Sequence, residues 1–134
     1  MIKADALLTV ASIIAGFGVT VLMFRLQREL QAFKEEGRTW LPVADWLVIG
    51  AVLVALALVV SLLIRKEDGD LTAQRAWCAV AIVLLAGYIP SILAHYNFLV
   101  WLTPDRPWLT RSEAALAAVT AVAASLAFIC VMFS

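Results

Sequence analysis

The chain has a single histidine, His95, and it falls inside an apolar stretch. Histidine is the side chain whose charge changes nearest neutral pH, so an intramembrane histidine can relay protons or sense pH. At ~100° per residue on a helix, Tyr88, Ser91 and His95 share one face, with Gly87, Ala94 and Phe98. Pro90 lies within the same segment. It removes one backbone donor and leaves the Ala86 carbonyl without its usual partner, which predicts a kink. A second polar row lies near the N-terminus: Asp5, Thr9, Ser12, Gly16, Thr20 and Gln27 recur at helical spacing. A third runs from Glu113 through Ala117 and Thr120 to Ala124. If these rows face one another, Tyr88, Ser91 and His95, with Thr9, Ser12, Thr20 and Glu113, line a polar path. The alternative is that His95 donates to one interhelical carbonyl or reaches the interface. On that reading Glu113, three residues after Thr110, closes a capping box, while Asp5 and Asp45 favour the positive ends of their helices.

The elements that must position these groups are transmembrane helices. Of 134 residues, 64% are hydrophobic, and the mean hydropathy is +0.98, well beyond soluble composition. Four apolar runs, 4–24, 44–64, 76–100 and 114–133, are each long enough to cross ~30 Å of hydrocarbon. Backbone groups within lipid must be satisfied locally, so the runs are helices. Short connections predict an all-α, up-down-up-down four-helix bundle in one transmembrane domain. Both termini then share one end, face A, and the first and third loops share the other, face B. The second run is nearly featureless and is expected to face lipid. The first, third and fourth are expected to pack through their small and polar rows.

The first helix is expected to continue to about residue 36. Leu26, Leu30 and Phe33 extend an i, i+4, i+7 stripe among charged residues. This is either a docking ridge or an interfacial amphipathic extension. Most tryptophans (Trp40, Trp46, Trp101 and Trp108) mark face B, and Trp77 marks face A, as an aromatic belt requires. Six basic residues lie near face B and four near face A. The positive-inside rule then predicts loops one and three in the cytoplasm and both termini outside.

Ten basic and ten acidic residues balance, and no basic patch invites nucleic acid. Cys78 and Cys130 lack metal-ligand or redox spacing, so no metal or cofactor is implied. No hydrolase, zinc-protease or phosphate-loop motif is present. Three functions remain. The first is a non-enzymatic subunit, assembly partner or regulator of a membrane complex. The second is a homo-oligomeric ion or proton channel or small transporter using Tyr88, Ser91 and His95. The third is a membrane enzyme acting on a lipid-soluble substrate. The expected partners are the bilayer and either another protein or a second copy, met through the small-residue faces.

Overall fold

A computed structural model describes residues 3–36, 43–64, 70–95 and 109–133. Four helices follow in order: α1 (Ala4–Glu36), α2 (Val43–Ile64), α3 (Thr72–His95) and α4 (Leu109–Phe133). They pack against one another, with no strand among the described residues. Each contains a window apolar and long enough to span a bilayer. The chain is thus an integral membrane four-helix bundle.

Three stacked layers of side chains form the core. At face B, Ala44, Leu47, Val48 and Val52 of α2 meet Tyr88 and Ala117. In the middle, Ile14 and Ala15 meet Ala51, Ala55 and Ala81. Toward face A, Leu7 and Ala11 meet Leu58 and Cys78. Trp77 and Phe128 close the α3–α4 contact there, with ring centroids 4.8 Å apart. Asp70 caps α3 by accepting from the Thr72 N–H (3.0 Å) and hydroxyl (2.7 Å). Such a cap satisfies donors that the first helical turn leaves unpaired.

The packing order differs from the one the polar rows suggest. α3 packs extensively on both α4 and α2, and α1 lies mainly on α2. The backbones of α1 and α4 nowhere come within 8 Å of each other among the described residues. α2 therefore does not simply face lipid. Ala44, Val48, Ala51, Ala55 and Leu58 are all buried. They recur at alternating four- and three-residue steps, the spacing of a left-handed helix seam. In lipid, close approach of small residues drives packing, and polarity is not required. The featureless look of α2 concealed an alanine seam.

Two glycines set the closest approaches. A Cβ placed on Gly18 would collide with the Val52 side chain, and one placed on Gly87 would collide with Thr120. These contacts fix the registers of α1 on α2 and of α3 on α4. At Gly16, by contrast, nothing lies within 4 Å of such a Cβ.

Candidate functional site

The charged site of the bundle lies at face B. Arg25 and Asp45 are both buried, 8% and 2% exposed, two of three buried charged side chains among the described residues. The Arg25 Nε donates to Asp45 Oδ1 at 3.1 Å, and its Nη2 donates to Oδ2 at 3.2 Å. This two-pronged contact is the strongest geometry an arginine offers a carboxylate. The Nη2 also reaches Glu29 Oε1, one turn along α1, at 3.4 Å. The helix register explains the meeting. Arg25 lies seven residues beyond Gly18 on α1, and Asp45 lies seven before Val52 on α2. The glycine contact that seats the hairpin therefore delivers the ion pair two turns later.

Glu113 brings α4 to the same place. It is 2% exposed and among the largest fully buried side chains. Its Oε1 accepts the Ala44 N–H at 2.7 Å. Ala44 lies in the first turn of α2, where backbone N–H groups have no partner within the helix. One turn of α2 thus receives a carboxylate from α4 at Ala44, and presents its own carboxylate, Asp45, to α1. The partial positive charge of the helix start favours both carboxylates. The arrangement ties three helices together at one level. The capping box expected around Thr110 involves side chains outside the described residues. What the structure shows is Glu113 acting between helices.

The residues singled out from the sequence fall into separate groups. Tyr88 and Ser91 are buried, 8% and 0% exposed, as is Thr120. Tyr88 belongs to the face B core layer with Ala44 and Ala117. The Thr120 hydroxyl donates to its own helix at Leu116 O, 2.8 Å. The Ser91 hydroxyl is buried without a hydrogen-bond partner among the described residues. Pro90 lies within α3, and the helix runs through it to His95. Thr9, Ser12 and Thr20 sit elsewhere, exposed on the outer side of α1. The Thr9 hydroxyl donates to Asp5 O and the Thr20 hydroxyl to Gly16 O, each at 2.8 Å. These hydroxyls can face lipid because their own helix satisfies them. The structure therefore brings Tyr88, Ser91 and Glu113 into one half of the bundle and leaves Thr9, Ser12 and Thr20 outside it. His95 ends α3, and its side chain lies outside the described residues, as do Trp40, Trp101 and Trp108.

Leu26, Leu30 and Phe33 are exposed, at 53%, 60% and 48%. Beside them, a cleft of about 160 Å³ lined by Leu22, Arg25, Leu26, Glu29, Asp45 and Ile49 opens over the ion pair. Among the described residues, no three His, Cys, Asp or Glu side chains gather as a metal site. Cys78 and Cys130 are free thiols, the first buried and the second exposed.

Sequence reasoning treated Arg25 as a marker of the membrane boundary and missed its pairing with Asp45. A signal was present. Arg25 stands between Phe24 and Leu26, and a charge enclosed by apolar neighbours on a membrane helix calls for a partner. Comparison of the chain with protein-family models, with curated proteins and with solved structures finds no match.

Proposed function

We propose that this protein is a non-enzymatic component of a membrane assembly, a subunit, assembly partner or regulator, that docks through the outer face of α1. The observation that carries this reading is how the polar groups are used. Arg25, Asp45 and Glu113 are engaged in tying helices together, which is a structural task. Among the described residues the outer face of α1 meets no other helix, yet it carries Gly16 in open space and the exposed row Leu26, Leu30 and Phe33. α1 has 33 residues, about 50 Å at ~1.5 Å per residue, against ~30 Å of hydrocarbon. Charges at Arg25, Arg28, Glu29 and Lys34 mark its exit. Its last turns therefore hold a leucine and phenylalanine ridge beyond the lipid, where apolar area gains from being covered. We place this end in the cytoplasm, following the excess of basic residues there.

The test is extraction of the tagged protein from its native membrane into nanodiscs, followed by mass and composition. The proposal expects an assembly larger than one 14.6 kDa chain, which the triple substitution L26S/L30S/F33S disperses. An assembly unaffected by that variant, or a lone chain, overturns the proposal. Labelling a cysteine at Lys34 from one side of the membrane tests the orientation.

A further inference from the structure

We infer that the occupant of the outer α1 face is a second copy of this chain, docked as a parallel two-stranded coiled coil. This rests on the docking role proposed above and names the partner.

The geometry begins with spacing. In the lipid-embedded half, Thr9, Ser12, Gly16 and Val19 follow one another at steps of three, four and three residues. The row continues at the same alternation through Met23, Leu26, Leu30 and Phe33. Every one of these residues is exposed. A repeat averaging 3.5 residues defines a left-handed two-helix seam, which stays in contact over its whole length. The inner face of α1 shows the same spacing through Leu7, Ala11, Ile14 and Gly18, and α2 and α3 cover it. α1 therefore carries two seams, and the fold fills one.

The two halves of the outer seam match their surroundings. Within lipid, small residues at Thr9, Ser12 and Gly16 permit close backbone approach, which supplies the packing energy there. Beyond the lipid, Leu26, Leu30 and Phe33 are large, and water provides the hydrophobic driving force. A bilayer-facing helix needs no large apolar row past the membrane exit.

Charge selects a second copy over another protein. With Leu30 and Phe33 as core positions, Glu29 and Lys34 flank the seam on opposite sides, five residues apart. In a parallel pair of identical helices, the earlier flanking position of one strand faces the later flanking position of the other. Glu29 of each copy then meets Lys34 of the other, giving two symmetric pairs of opposite sign. Glu29 already leans on Arg25 at 3.4 Å, yet its side chain remains 24% exposed, which leaves an oxygen for the second contact. Copies inserted with one topology necessarily present α1 in parallel.

The experiment uses purified full-length protein with Cys78→Ala and Cys130→Ala, reconstituted in vesicles. Single cysteines are placed on the seam (Gly16→Cys, Met23→Cys or Leu30→Cys) and at exposed positions off it (Phe17→Cys or Phe24→Cys). Copper-phenanthroline oxidation is expected to link the seam positions and spare the others. Sedimentation in density-matched detergent reads the dissociation constant in the cysteine-free protein. Lys34→Glu should weaken the dimer about fivefold, and Glu29→Lys with Lys34→Glu should restore it, since the pairs are exchanged rather than lost. The triple serine variant should weaken it at least about 100-fold. A monomer by sedimentation, or equal linking on and off the seam, overturns the inference. If the purified chain is monomeric while a different protein is lost from native membranes in the triple variant, the second copy is excluded and the docking role stands. If neither self-association nor native assembly responds to the triple variant, both fail.

Discussion

Along α1, Leu7, Ala11, Ile14, Gly18 and Arg25 face the other helices, whereas Thr9, Ser12, Gly16, Leu26 and Leu30 face away. Both sets have small residues in the membrane and a heptad-like step. What separates them is the partner opposite. On the inner side, Gly18 admits Val52 and Arg25 finds Asp45. On the outer side, a Cβ placed on Gly16 would meet nothing within 4 Å. The comparison shows that a small-residue row on a membrane helix states a capacity for close packing. Which of two such rows the monomer uses depends on the register of the neighbouring helix.

Substitutions can break or sharpen this contrast. The largest effect is expected at the ion pair. Asp45→Ala leaves Arg25 buried without its main partner and should cost about 3–5 kcal/mol in reversible unfolding in mixed micelles. Replacing both partners, Arg25→Met with Asp45→Leu, should return most of that loss, because the desolvation cost is removed along with the attraction. If the double variant is as unstable as the single one, the pair is not the source of the inner seam's strength.

Next come the glycines. Gly87→Leu forces a side chain into Thr120 and should destabilise the monomer by about 2–3 kcal/mol. Gly16→Leu enters open space and should change monomer stability by less than about 0.5 kcal/mol. Equal losses in the same unfolding assay would erase the distinction between inner and outer faces.

Glu113→Gln retains an oxygen to accept the Ala44 N–H but loses the carboxylate charge. A loss of about 1 kcal/mol is expected, the difference between a charge-assisted and a neutral hydrogen bond. Glu113→Leu should cost more, since it orphans the buried Ala44 N–H. Amide hydrogen exchange at Ala44 reads this directly: protection should survive in the glutamine variant and fall in the leucine variant.

The smallest effect is expected at Ser91. Removing a buried hydroxyl that has no partner among the described residues should leave stability unchanged or raise it by a few tenths of a kcal/mol. A clear loss on Ser91→Ala would show that the hydroxyl is satisfied in the membrane, by water or by a group from another chain.

The sequence by itself determined that four helices span a membrane, because apolar length and the need to satisfy backbone groups in lipid admit little else. It also showed that α1 runs on to about residue 36, through the periodic Leu26, Leu30 and Phe33. It located Tyr88, Ser91 and Glu113 as groups of interest, since polar residues in apolar runs stand out. Only the tertiary structure decided which faces meet. Helix packing in lipid depends on shape at close range, and alanines at Ala44, Ala51 and Ala55 make α2 a central element although nothing polar marks them. The same holds for Arg25 with Asp45 and for Glu113 with Ala44. Their partners lie 20 and 69 residues away in the chain, and only the Gly18–Val52 and Gly87–Thr120 registers bring them to one level.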